Sequence, residues 1–267
     1  MYVSRRARMI LRFVAGLTFA VLYAPLLIVA ILSFNTSKSF TWPPSGVTLH
    51  WWSRAATESG PRDALLLSLK IGLCATAVAL VLGTLAAFAL QRFKFFGRDA
   101  VNLMLVLPIA LPGIVTGVAL NSAFRQVNFQ LGFATLVIAH ATFCIVTVFN
   151  NVIARLRRLA PNVEEASADL GADTFQTFRY VTLPLVRSAL LAGGLLAFAL
   201  SFDEIVVTTF TVGSGQTLPL WIFSNLFRPN QLPIVNAVAT AVVLLSVVPV
   251  YFAQRRTDPG SAGAAAM

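Results

Sequence analysis

The sequence predicts an all-α, polytopic transmembrane helical bundle, and three observations predict it. Hydrophobic residues make up 57% of the 267 residues, charged residues only 11%, and the mean hydropathy is +0.79. A soluble domain carries about 25% charged residues. Apolar runs recur at about six places, each near the ~20 residues a helix needs to cross ~30 Å of hydrocarbon. Strands are excluded because the runs are too long and lack barrel alternation, so helices must satisfy the backbone within lipid.

The first run extends from about Ile10 to Ser33. Basic residues precede it, as in a signal peptide, but the run is too long and no small-x-small cleavage site follows, so it reads as a retained span. The outward segment from Phe34 to Arg62 comes next. Pro43-Pro44-Ser45-Gly46 marks a turn there, and Trp51-Trp52 suits an aromatic anchor at the membrane interface or, as an alternative, a lip touching an external partner.

The second run covers Ala64 to Leu90 and the third Ala100 to Ala123. In the third, Pro108 and Pro112 remove backbone donors four residues apart and predict a bend. Gly113 and Gly117 beside them suit close helix packing. The fourth run, Leu131 to Ile153, carries His140 with no neighbouring His, Cys or carboxylate in sequence, which favours a hydrogen bond to another helix over a ligand or proton-relay role. Cys74 and Cys144 sit inside spans, without metal-ligand spacing, and read as packing residues.

The fifth run covers Ser188 to Val212 and the sixth Pro233 to Ala253. Positive charge stays cytoplasmic. With the amino terminus inside, the inner segments hold Arg5, Arg6, Arg8 and Arg12, then Arg92, Lys94 and Arg98, then Arg155, Arg157, Arg158, Arg179 and Arg187, then Arg255 and Arg256. The outer ones hold Lys38, Arg54, Arg62, Arg125 and Arg228, so both termini are expected in the cytoplasm. The net charge of +10 is then mainly topology and anionic lipid contact, and calls for no nucleic acid.

Between Arg155 and Arg187 the chain is too polar to span. Val163, Ala166, Leu170 and Ala172 alternate with carboxylates at helical spacing. Pro161-Asn162 is the expected helix start, Glu164 and Glu165 favour its dipole, and Gly171 ends it. Ala166 and Gly171 give a small-residue surface for another protein, and Phe175 and Phe178 are expected to anchor a second short helix before Leu183-Pro184.

Here the sequence resembles the membrane subunits of ABC importers, the permeases that work with an external binding protein. Their penultimate cytoplasmic loop carries Glu-Ala-Ala, three residues, Gly, nine residues, Ile, one residue, Leu-Pro. This chain has Glu165-Ala166-Ser167, Gly171, Val181 and Leu183-Pro184, with Ser167 and Val181 as conservative departures. Ser201-Phe202-Asp203-Glu204-Ile205-Val206-Val207-Thr208-Thr209-Phe210, Gln216 to Trp221 and Pro233 to Ala237 are similar to the spermidine/putrescine-type branch. The resemblance implies a permease domain over 1–257, with a coupling loop at about 154–187; the Ala/Gly-rich tail at 258–267 lies outside the resemblance and is expected to be disordered.

The same resemblance implies a polyamine importer in a bacterial inner membrane. Its partners would be a second, non-identical permease, two copies of an ATPase and a periplasmic binding protein. Coupling to the ATPase would fall on Glu164, Glu165, Ala166, Ser167, Asp169, Leu170, Gly171 and Ala172. No cofactor is expected in this chain, which lacks Gly-x-x-x-x-Gly-Lys-[Ser/Thr], so ATP belongs to the partner. Related permeases also handle opines, phosphonates and ferric iron.

A carboxylate inside a span costs about 2.5–3.5 kcal/mol, so Asp203 and Glu204 need a reason. One is a cation pathway, with Phe202 and Phe210 covering methylenes or attracting ammonium groups. The other is an ion pair with Lys70. A secondary transporter would need its own ion-coupling residues and matching repeats, and a membrane enzyme a nucleophile-base or metal cluster; neither stands out.

Overall fold

A computed structural model describes residues 4–38, 42–160 and 162–256, with the backbone alone for 248–256. The helices are α1 (Arg5–Leu32), α2 (His50–Thr57), α3 (Ser59–Arg92), α4 (Arg98–Ala110), α5 (Gly113–Gln126), α6 (Phe133–Leu156), α7 (Asn162–Asp169), α8 (Thr174–Thr177), α9 (Leu183–Phe202), α10 (Val206–Thr211), α11 (Leu218–Asn225) and α12 (Leu232–Arg256). A π-helical turn, Phe178–Thr182, joins α8 to α9. Among the described residues no strand forms beyond one isolated bridge, Asn35 to Val47.

Two compact units divide the chain: one built from its ends, up to Arg62 and from Ile222, and one from Asp63–Trp221. In the first, α12 packs on α1 and α2. Ser4 caps α1 by accepting from the Ala7 N–H, and no residue in the apolar window of α1 is buried, as suits a lipid-facing surface. The loop after α1 is closed by Asn35, whose Oδ1 accepts from the Ser45 N–H and hydroxyl, both at 3.0 Å.

Trp51 corrects the expectation of an interfacial anchor. It is buried, and its indole N–H donates to the Asn35 carbonyl at 2.8 Å, tying the loop to α2. The neighbouring Trp52 stacks on Phe34 with ring centroids 5.3 Å apart.

In the second unit α6 is the axis, with most of its apolar window buried. Ala139, Cys144, Val148, Phe149 and Val152 form the core with Ala79 and Ala87 of α3, Val186 and Ala197 of α9 and Val207 of α10. Small residues at these positions let the backbones approach closely, which is how helices gain dispersion energy where lipid supplies no hydrophobic drive.

Helices α1, α3, α6 and the stretch from Thr174 to Phe202 are each long and apolar enough to cross a membrane. Helices α4 and α5 make a fifth crossing if the bent pair is one span, and α12 carries a shorter apolar stretch, Leu232–Val247. Two expected spans are not continuous. The third is broken by 108° between α4 and α5, a stronger interruption than a bend. Leu111, ahead of Pro112, is extended (φ −82°, ψ 144°) because the proline ring disfavours the helical conformation before it. The fifth, expected as one helix through Val212, stops at Phe202 and restarts at Val206. The tail at 258–267 and Pro161 lie outside the described residues.

Candidate functional site

Two regions gather the residues singled out above. The first is the polar loop between α6 and α9. Helix α7 begins at Asn162 and ends in a Schellman arrangement: Gly171 has φ +86°, its N–H donates to the Ala168 carbonyl at 2.9 Å, and the Ala172 N–H donates to the Ser167 carbonyl at 3.1 Å. Gly171 therefore ends the helix as its lack of a Cβ allows. Asp173 and Gln176 then form a reciprocal capping box that starts α8, at 2.8 and 3.0 Å.

One face of the loop is turned inward. The Glu164 carboxylate accepts from the Thr182 hydroxyl at 2.6 Å and pairs with Arg92 at the end of α3 at 2.5 Å. The Arg92 guanidinium lies 5.3 Å over the Phe88 ring, which meets Phe178 edge-on at 5.6 Å. Ser167 and Thr177 share a 3.0 Å hydrogen bond. Glu165, Ala166, Asp169, Leu170 and Gly171 are exposed, Leu170 by 89%, and Ala172 is half-buried. Phe178 anchors the second short helix as expected, but Phe175 does not: it is exposed, because the α8 turn carries it to the outer face.

The second region is formed by the two helix breaks. Helix α5 packs on α10. A Cβ at Gly117 would lie 2.7 Å from the Phe210 ring, and one at Gly113 3.4 Å from Val206, so the two glycines are the floor on which α10 rests. Asn121 of α5 donates its side-chain amide to the Phe210 carbonyl. Phe210 is thus half-buried against α5, and the Phe202 ring lies tilted against Phe198 with centroids 5.9 Å apart.

The carboxylates separate in role. Glu204 Oε1 accepts from the Val207 N–H at 2.9 Å and so caps the restarted helix. Asp203 is exposed, and among the described residues its carboxylate makes no hydrogen bond or ion pair. The pairing with Lys70 does not form: Lys70 is exposed, and the ion pairs among the described residues are Arg54–Glu58 and Arg92–Glu164. Asp203 and Glu204 stand at the break and not within a continuous helix.

Around the break, α6 supplies fixed partners. His140 is fully buried, with Nδ1 2.8 Å from the Ser201 hydroxyl of α9 and Nε2 2.9 Å from the Thr208 hydroxyl of α10. The Thr135 hydroxyl lies 2.8 Å from the Thr211 carbonyl, and Cys144 donates to the Ala197 carbonyl at 3.2 Å. His140 therefore makes the interhelical hydrogen bonds its setting predicts. Its partners Ser201 and Thr208, like Asn121, Arg92 and Thr182, carry no signature in sequence beyond being polar in or beside apolar runs. Among the described residues no three His, Cys, Asp or Glu side chains gather as a metal site would require.

Residues 79–262 match the family described as "Binding-protein-dependent transport system inner membrane component". The putrescine transport system permease protein PotI of Escherichia coli strain K12 is 38% identical over 236 residues, 85% of this chain and 83% of that protein. The spermidine/putrescine transport system permease protein PotC of Haemophilus influenzae is 37% identical over 238 residues, 88% of this chain and 91% of that protein. In fold, the chain is similar to a chain of the bacterial ABC transporter involved in the import of the acidic polysaccharide alginate, with a TM-score of 0.75, 15% identity and coverage of 97% and 100%.

Proposed function

Because this chain belongs to the family of binding-protein-dependent transport system inner membrane components, we propose that it forms half of a translocation pathway for polyamines, putrescine or spermidine, in an ABC importer. It is a transport subunit and not an enzyme. The carrying observation is the exposed Asp203 carboxylate at the break of the fifth span, bonded to nothing among the described residues. A polyamine is a row of ammonium groups separated by methylenes. In a low-dielectric path one carboxylate attracts such a cation far more strongly than in water, and the Phe202 and Phe210 rings complement the chain between charges.

The loop from Asn162 to Thr182 supplies the coupling. Exposed Glu165, Ala166 and Leu170 present a surface for a cytoplasmic ATPase, and the inward pair of Glu164 with Arg92 connects that surface to α3. Two ATPase copies, a second, non-identical permease and a periplasmic binding protein complete the assembly, and both termini of this chain face the cytoplasm.

The test is uptake of labelled putrescine and spermidine by energised cells carrying the whole transporter, with and without this chain, with an unlabelled amino acid and an opine as competitors. Uptake lost on deletion, and undiminished by those competitors when the chain is present, is the expected result. Uptake that persists without the chain would refute the polyamine assignment.

A further inference from the structure

We propose that His140 is a positioning residue for the break in the fifth span, setting where the Asp203 carboxylate stands by tying Ser201 and Thr208 from opposite sides of it. The inference rests on the reading of Asp203 as part of the cation path, and adds to it the device that holds Asp203 in place.

The hydrogen bonds run in one direction. The Thr208 hydroxyl donates to the Glu204 carbonyl at 2.7 Å, so its oxygen is left to accept from His140 Nε2–H at 2.9 Å. With the imidazole neutral, Nδ1 is then left to accept from the Ser201 hydroxyl at 2.8 Å. The chain Ser201, His140, Thr208, Glu204 carbonyl begins in the last turn of α9 and ends inside the break. One rigid ring thereby measures the gap between the two helix ends.

Both ends are also held independently. The Thr135 hydroxyl and the Asn121 amide bond carbonyls of α10, and the Cys144 thiol bonds α9, so the helices stay packed on α5 and α6 when the ring chain is cut. What His140 fixes is the conformation of the three residues between them. A helix freed of this tie can regain backbone hydrogen bonds by continuing through Asp203, since no Pro or Gly stands at 203–205 to prevent it. The imidazole is buried in an apolar core, where each unmade bond is costly, which gives the ring the leverage to oppose that continuation.

The test uses the complete transporter in membranes, with this chain's level measured for every variant. Two readouts are taken: the KM for putrescine uptake, and the rate at which a membrane-impermeant thiol reagent modifies Asp203→Cys with the exposed Cys74 replaced by Ala, while the fully buried Cys144 is kept because its thiol holds α9. Thr208→Val removes the hydroxyl at nearly constant volume, Thr208→Ser keeps it, and His140→Phe keeps a ring without either bond. Thr208→Val and His140→Phe are expected to raise KM about tenfold and to change the labelling rate at position 203 by a similar factor. Thr208→Ser should restore both readouts. Combined with Asp203→Asn, His140→Phe should add no further loss of uptake.

Labelling and KM at wild-type values in Thr208→Val and His140→Phe would overturn the proposal. Additive losses with Asp203→Asn would overturn it as well, because they assign His140 a role apart from Asp203. Should His140→Phe fail to accumulate, the Thr208 pair decides. Should Asp203→Asn transport normally, the cation-path reading falls, and the labelling rates alone decide whether His140 sets the break.

Discussion

The loop between α6 and α9 and the paired helix breaks around α5 and α10 are both polar interruptions of an apolar chain, yet they are built in opposite ways. Most of the loop is fixed by near neighbours: the Schellman turn at Gly171, the Asp173–Gln176 box and the Ser167–Thr177 bond all close within ten residues along the chain. Its apolar side chains Leu170, Phe175 and Tyr180 point outward. The break of the fifth span is fixed by groups far along the chain, Asn121 to Phe210, Thr135 to Thr211 and His140 to Thr208, and those partners are largely buried, whereas the break of the third is set locally by Pro112. A surface meant for an outside partner can be made locally. A gap at a fixed place inside a bundle needs distant residues to hold it.

Four substitutions sharpen or break this contrast. The largest effect is expected at Asp203→Asn, which removes the charge and retains the shape; putrescine uptake should fall by more than about tenfold with this chain's membrane level unchanged, in keeping with the strength of one charge interaction in a low-dielectric site. Unchanged uptake by a correctly assembled mutant would remove Asp203 from the pathway. Next is Gly117→Val, whose added carbons meet the Phe210 ring; overpacking there should cost about 1–3 kcal/mol, read as a lower melting temperature of the detergent-solubilised chain. Gly16→Ala, with nothing within 4 Å, is the matched control and should not lower it.

Leu170→Glu comes third. The residue is 89% exposed, so stability should stay within about 0.5 kcal/mol, while substrate-stimulated ATP hydrolysis by the full transporter should fall several-fold. Normal stimulation would place the docking surface elsewhere. The smallest effect is expected at Glu164→Gln. Its ion pair with Arg92 is partly exposed and worth about 0–1 kcal/mol, so thermal stability should barely move. A marked loss of stability would mean that the pair is tighter than its exposure allows.

Legibility in the sequence followed the same division. The interruption of the third span could be read because Pro112 forbids a donor and biases Leu111 away from the helix. The break of the fifth could not, since Asp203-Glu204-Ile205 contains no breaker, and by propensity alone the helix would run on. Two carboxylates within an apolar run marked the place, but charge does not say whether a residue pairs, caps or stands free. In the structure Glu204 caps and Asp203 stands free, a division that depends on where α10 restarts. Similarly, Glu164 and Glu165 are indistinguishable by spacing from the helix start. The positions of Arg92, at the end of a helix closed long before, and of Thr182 turn one inward and leave the other exposed.

By itself the sequence determined the helical class, the main apolar runs, the start of α7 at Asn162 and its end at Gly171, because each follows from hydropathy over one span or from backbone freedom at one residue. The tertiary structure alone decided that α5 and α10 meet across Gly113 and Gly117, that His140 bridges Ser201 and Thr208, and that Trp51 is an internal tie. The physical reason is range: hydrophobicity and dihedral preference belong to a residue and its neighbours, whereas a hydrogen bond across a core exists only after packing has brought its two ends within about 3 Å.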